Sequence, residues 1–475
     1  MRNINYLLSF VKKSIEDTDS IVKNSLYSDN FQFIQRNEFI KLKQYADNFL
    51  NGTESDNFVH ISGFRGVGKT TVMFQLYNYL LKRNISPEKI LYFSANTFNH
   101  ILNNDLEDVV NVFLNEFPKL SDDKIFILID DVQEFSNWFY QACNIKNISE
   151  NIFLVCAGSF SQDSSDDAIF NNYFKKEFMF PLSFYDYLKL NFDMDINNSL
   201  PFNLRNSIFH GDISSIKSLE NSFYKSFKNR DVFLNSNWMY YLLHGSFPAN
   251  LYFNEFEAYN NTNEIINNVI EKDIFNQVSF NIETKSKIFK LVSFIAFSQS
   301  NLSKANLAKF VKLSYSRIQT ILQILEKNRI LFHINSFDSK GESIKKLSKY
   351  YFISPNLKVA LNNELGNYNS DNDDYMLNLT ESLVASILYK MQVLYKNPLE
   401  IYFPKNKKQA DFLIKTDEDK LIPIEVGFGD EPKRYVFNSI DEFDCEYGIV
   451  VCDAVSFTKK INNVIYMPLT SFSLI

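Results

Sequence analysis

The chain has 475 residues, 45% hydrophobic and 16% aromatic, so it carries ample material for packed cores and lacks the composition of a disordered protein. A formal net charge of −7 taken alone argues against a nucleic-acid binder, and its distribution along the chain argues otherwise. No apolar run approaches the ~18 residues of a membrane span, so no membrane partner is expected. Four cysteines (Cys143, Cys156, Cys445 and Cys452) form no C-x-x-C pair and read as reduced thiols, which points to a cytoplasmic protein. The length suggests roughly three or four domains.

In chain order, residues 1–50 read as an N-terminal helical segment. Its opening stretch, MRNINYLLSFVKKSIEDTD, is amphipathic and carries acids early, unlike a signal peptide. Next comes ISGFRGVGKTT (61–71). Only 12 glycines occur in the chain, and Gly63, Gly66 and Gly68 fall within six positions here. Gly63, Gly68, Lys69 and Thr70 fill the G-x-x-x-x-G-K-[ST] pattern, in which backbone N–H groups and a helix N-terminus cradle phosphates. Lys69 is expected to reach the β- and γ-phosphates of ATP and Thr70 to hold Mg²⁺. Arg65, Gly66 and Thr71 complete the expected nucleotide-binding set.

Strand-like runs follow at KILYFSAN (89–96), KIFILIDDVQEF (124–135) and NIFLVCAGS (151–159), with FMFPL (178–182) as a fifth candidate. Helical stretches separate them, so the fold class is α/β, with a largely parallel sheet over a P-loop core at 51–190. IFILIDDV ends an apolar strand on two acids, as a Walker B motif does. Asp130 is expected to bind Mg²⁺ and Asp131 to polarise the attacking water, with Glu134 the alternative base. Ser159, near Gly158 and Ser161, lies where a sensor of the γ-phosphate belongs. Residues 191–284 read as a helical lid.

Charge is segregated further on. Residues 285–350 hold thirteen Lys and Arg against three acids, a net +10, which leaves −17 for the rest. Such segregation calls for a partner. NLSKANLAKFVKLSYSRIQTILQILEKNRILFHI (301–334) reads as two helices capped by Ser303 and Ser314, then a strand, then a hairpin with a basic tip. That is a winged helix over 285–355, whose second helix would enter the major groove of double-stranded DNA. Arg317, Lys345 and Lys346 are the expected DNA contacts.

The order of GFRGVGKTT, ILIDDVQEF, FLVCAGSF, FPLSFYDYL and HGSFPANL resembles a large prokaryotic family that joins an archaeal-type AAA/STAND P-loop ATPase to a C-terminal domain. FQFIQRNEF (31–39), with Arg36 and Glu38, resembles the lead-in segment of that family. The resemblance implies that Gly245 and Pro248, in a lid turn, contact the base. It also implies that 356–475 is a restriction-endonuclease-like α/β domain of the PD-(D/E)xK type. Glu381, Asp411 and Glu425 then form a possible second metal site. Two departures matter. The family's Asp-Glu is here Asp130-Asp131, one methylene shorter and ~1 Å further from a water, so hydrolysis should be slow. The nuclease lysine position is Gly427, so the nuclease-like domain reads as degenerate. The sequence thus implies a slowly hydrolysing ATP-dependent switch acting with DNA. An active ATP-regulated nuclease and a signalling or assembly ATPase with a protein partner are the alternatives, and a homo-oligomer is compatible with each.

Overall fold

The computed structural model describes the chain except at residues 1–3, 29–30, 33, 54–55, 102–104, 118–123, 136, 160–172, 195, 228–229, 276–281, 299–301, 338–342, 395–398, 407 and 430–433. Contacts divide it into two units, the first ending at Phe180 and the second starting at Pro181.

In the first unit, helices α1 (Ile4–Leu26) and α2 (Asn37–Leu50) precede β1 (Phe58–Gly63) and α3 (Lys69–Lys82). Then come β2 (Ile90–Ser94), α4 (Leu106–Glu116), β3 (Ile125–Asp130), α5 (Trp138–Ile148), β4 (Ile152–Gly158) and β5 (Lys175–Met179). The sheet order is β2-β3-β4-β1-β5, and every neighbouring pair is parallel. Strands β1, β3 and β4 are buried along their whole length. Unbroken apolar runs form such strands because helices cover both faces of a parallel sheet. Phe93, Phe98, Phe113, Ile127 and Leu154 belong to one core. β2, which separates the two nucleotide motifs in sequence, lies at the sheet edge. β4 separates their strands in space. The fifth strand starts at Lys175, three residues before the FMFPL run.

The second unit opens with helices α6 (Phe184–Phe192), α7 (Ser199–His210), α8 (Ile216–Lys225), α9 (Arg230–Leu243), α10 (Glu255–Asn268) and α11 (Ile282–Phe297). α12 (Lys304–Val311) and α13 (Tyr315–Lys327) follow, and Ser303 and Ser314 accept the N–H of Asn306 and Arg317 as N-caps. β6 (Leu331–Phe337) and β7 (Ser343–Phe352) form a hairpin. α14 (Pro355–Glu364), α15 (Asp373–Leu394), β8 (Glu400–Pro404), β9 (Phe412–Lys415), β10 (Leu421–Val426), α16 (Tyr435–Phe443), β11 (Gly448–Cys452), β12 (Lys459–Ile461) and β13 (Val464–Pro468) complete it. β6 also pairs in parallel with β8, Tyr402 opposite Asn335. One eight-stranded sheet results, in the order β12-β13-β11-β10-β9-β8-β6-β7. It runs straight across the 355/356 border drawn from the sequence. Phe332, Ile387, Phe403, Phe412 and Ile424 share its core.

Candidate nucleotide site

The glycines of 61–71 answer to geometry. A Cβ on Gly63 would stand 2.5 Å from the Met179 carbonyl oxygen, and Gly66 and Gly68 have φ of +85° and +98°. Only glycine adopts such angles at no cost. Gly68 caps α3, so the loop runs directly into a helix N-terminus with its unpaired amides. The Lys69 ammonium donates to the carbonyls of Gly63 (2.8 Å) and Phe64 (3.1 Å). Arg65 and Thr71 are half-buried and Gly66 is exposed. From the lead-in segment, Arg36 donates through Nη1 to the Val67 carbonyl (2.6 Å) and through Nη2 to Glu38 and the Phe180 carbonyl. It fixes the loop's back.

The second motif meets the first at one bond. The Thr70 hydroxyl donates to Asp130 Oδ2 at 2.5 Å, and the Asp131 N–H donates to Asp130 Oδ1 at 2.9 Å. Asp130 is buried, and its pKa is pushed up to about 6 by that burial and by the charge of Asp131, against the pull of Thr70 and Lys69. A buried carboxylate with uncompensated charge beside a hydroxyl is an all-oxygen donor set, which fits Mg²⁺.

Asp131 sits at φ +54°, a left-handed angle that Asp tolerates better than most residues. Ser94 Oγ donates to its Oδ2 and Gln133 Nε2 to its Oδ1, both at 3.2 Å. Gln133 Oε1 in turn accepts the Ser159 N–H at 3.1 Å. The Ser159 hydroxyl is buried with no partner among the described residues. Ser161 lies outside the described residues. Glu134 is half-buried in the 3₁₀ turn Val132–Glu134. Sequence reasoning missed Ser94 and Gln133. Gln133 stood inside the quoted run, but Ser94 becomes relevant only once β2 is known to lie against β3.

The remaining expected residues belong to the second unit. Gly245 packs where a Cβ would meet the Tyr187 ring and the Tyr241 backbone at 2.8 Å, and Pro248 opens the 3₁₀ helix Pro248–Tyr252. Arg317 is exposed on α13; Lys345 and Lys346 lie in β7, with side chains outside the described residues.

Glu381 (α15), Asp411 (just before β9) and Glu425 (β10) are drawn toward one region: both glutamates act on the charge of Asp411. Even so, no group of three His, Cys, Asp or Glu among the described residues is placed to hold a metal ion. Each of the three acids has a polar partner within the protein. Lys349 Nζ from β7 lies 2.9 Å from Glu381 Oε1, which also accepts the Tyr351 hydroxyl at 2.5 Å. Asp411 accepts the Val426 N–H at 2.8 Å, and Glu425 the Val436 N–H at 2.7 Å. Burial works to raise the Glu381 pKa, but Lys349 and Tyr351 outweigh it and hold it low. Asp411 is pushed up to about 7, by burial first and then by Glu381. Lys415, at the end of β9, pairs with Asp419 at 2.8 Å.

The glycine-built loop at the start of α3 and the Thr70–Asp130 contact stand on a five-stranded parallel sheet, the arrangement of a P-loop core. Residues 55–188 match the model of an AAA domain family, and residues 235–368 match one described as a domain of unknown function. An uncharacterized protein of Methanocaldococcus jannaschii is 26% identical over 445 residues, covering 93% of this chain and 89% of that protein. An uncharacterized protein of Haemophilus influenzae is 21% identical, covering 67% and 72%. Among solved structures, the Aeropyrum pernix ORC1 protein in complex with DNA aligns at a TM-score of 0.34 and 10% identity, over 72% of this chain and 96% of its own. AMPPCP-bound DnaA from Aquifex aeolicus aligns at 0.25 and 14%, over 62% and 90%. TM-scores this low bear on neither partner nor mechanism. No described helix is long and apolar enough to cross a membrane.

Proposed function

We propose that the chain is an ATP-binding switch ATPase with slow turnover that works with double-stranded DNA. The observation that carries the nucleotide half is the 2.5 Å bond from Thr70 to Asp130, which joins the two motifs at the mouth of a glycine-built loop. In this reading the loop amides and the N-terminus of α3 receive the phosphates, with Arg65, Gly66 and Thr71 at the rim and Lys69 on the β- and γ-phosphates. Thr70 and Asp130 would hold Mg²⁺, which supplies neutralising charge at those phosphates. Asp131 orients the attacking water, and its short side chain keeps turnover low. The buried Ser159 hydroxyl is free to meet a γ-phosphate, and Gly245 and Pro248 are assigned to the base.

The DNA half rests on α13. Its exposed positions are Tyr315, Ser316, Arg317, Gln319, Thr320, Gln323 and Lys327, without an acid among them. Its one acid, Glu326, is turned to His333 at 2.5 Å. Such a face, backed by the β6–β7 hairpin that carries Lys345 and Lys346, suits a major groove. The engaged acids Glu381, Asp411 and Glu425 favour a supporting role over a cutting one. Two measurements test the proposal: titration of ATP with Mg²⁺, and anisotropy of a labelled duplex between about 50 and 200 mM salt. ATP binding with no salt-dependent duplex binding would remove the DNA half and favour a protein partner.

A further inference from the structure

We propose that Gln133 is a positioning residue for hydrolysis: its amide ties the Asp131 carboxylate to the end of β4, so that this acid and Ser159 are placed as one piece. The inference rests on the assignment of Asp131 as the group that orients water.

One side chain spends its donor and its acceptor on the two groups. Nε2 donates to Asp131 Oδ1 at 3.2 Å, and Oε1 accepts the Ser159 N–H at 3.1 Å. The amide orientation is fixed by its partners. A carboxylate only accepts and a backbone N–H only donates, so a flipped amide would make neither bond. Ser94, at the end of β2, holds the other carboxylate oxygen at 3.2 Å. Asp131 is thus gripped from both sides while its backbone sits at φ +54°, an angle kept only where the surroundings determine it. Two donors occupy half of the roughly four acceptor sites of a carboxylate, which leaves room for a water.

A second observation points the same way. A Cβ on Gly158 would stand 2.9 Å from Gln133 Oε1 and 3.1 Å from Val132 Cγ2. The glycine at the end of β4 is what lets the amide lie there. The next residue, Ser159, offers the N–H that Gln133 takes and a buried hydroxyl with no partner among the described residues. A phosphate contact made by that hydroxyl would reach Asp131 through a single side chain. The Asp131 arm is short, and an arm that cannot reach gains most from being held at the right angle.

The test measures kcat and the ATP Kd for Gln133→Ala, Gln133→Glu, Gly158→Ala, Asp131→Ala and the Gln133→Ala/Asp131→Ala pair. Gln133→Glu keeps an acceptor for the Ser159 N–H and replaces the donor to Asp131 with a second carboxylate that repels it, at nearly unchanged volume. Both Gln133 variants should lower kcat about ten- to a hundredfold and leave the ATP Kd where it was, which also shows that they fold. Gly158→Ala should lower kcat with no functional group removed. The pair should be no slower than Asp131→Ala alone, because Gln133 acts through Asp131. Wild-type kcat in both Gln133 variants beside an inactive Asp131→Ala overturns this proposal alone. Wild-type kcat in Asp131→Ala overturns the assignment of the acid and this proposal with it. A further loss in the pair below Asp131→Ala also overturns it, since Gln133 would then act elsewhere.

Discussion

Lys69 and Asp131 divide the proposed chemistry, and each gives a prediction. Lys69 already lies on the carbonyls of Gly63 and Phe64, beside the loop's amides. Lys69→Ala removes the ammonium assigned to the β- and γ-phosphates, and charge-assisted bonds of that kind are worth about 1.5–3 kcal/mol. ATP affinity, read by calorimetry, should fall by about a hundredfold; an unchanged affinity would sink the nucleotide assignment. Asp131→Ala should leave ATP affinity intact and slow phosphate release by about 10²–10³, whereas Glu134→Ala should turn over normally. The reverse pattern would make Glu134 the base. Much of this site was legible because its requirements are local: Gly63 needs close backbone approach, and Gly66 and Gly68 need positive φ. Ser94 and Gln133 were not, since their importance depends on which strands lie side by side.

Helix caps are also local signals, and Ser303 and Ser314 cap α12 and α13 where the sequence places them. What the sequence hid at this scale is pairing at a distance. β6 joins β8 in parallel register, which no hairpin pattern announces. It hid ion pairs too. Of the thirteen cations in 285–350, Lys285 meets Glu271 (2.6 Å), Lys287 meets Glu283 (2.5 Å) and Lys349 meets Glu381 (2.9 Å). All three acids lie outside the segment, so the charge offered to a partner is smaller than the sequence count. Arg317 stays exposed on α13. Arg317→Glu should weaken duplex binding, and the slope of log K against log salt should become shallower by about 0.9 for the lost phosphate contact. An unchanged slope would mean that α13 faces something other than DNA.

In the second unit the hairpin, α15 and the C-terminal strands converge on one set of buried charges. The sequence supplied Glu381, Asp411 and Glu425 but not Lys349, which comes from a different element 32 residues before Glu381. Lys349 changes the reading of that region, because it occupies the acid that a metal would need. Wild-type protein should therefore leave duplex DNA uncut with Mg²⁺ or Mn²⁺, as a gel would show; cutting that Asp411→Ala abolishes would restore the nuclease reading. The same charges set a pH dependence. The folded pKa of Asp411 is raised from 3.8 to about 7, by burial and then by Glu381, so the folded protein favours the protonated acid. The unfolded chain releases that proton near its ordinary value. Between about pH 4 and 7 the folded state thus binds more protons than the unfolded one, and stability falls as pH rises, by roughly 4 kcal/mol at most. Asp411→Asn carries no charge at any pH and keeps a carbonyl for the Val426 N–H. Its melting temperature minus that of wild type should climb from pH 5 to pH 8, ending at or above zero. A difference that stays flat over the same range would show that Asp411 is held as the carboxylate, with Lys349 compensating it more strongly than Glu381 opposes it.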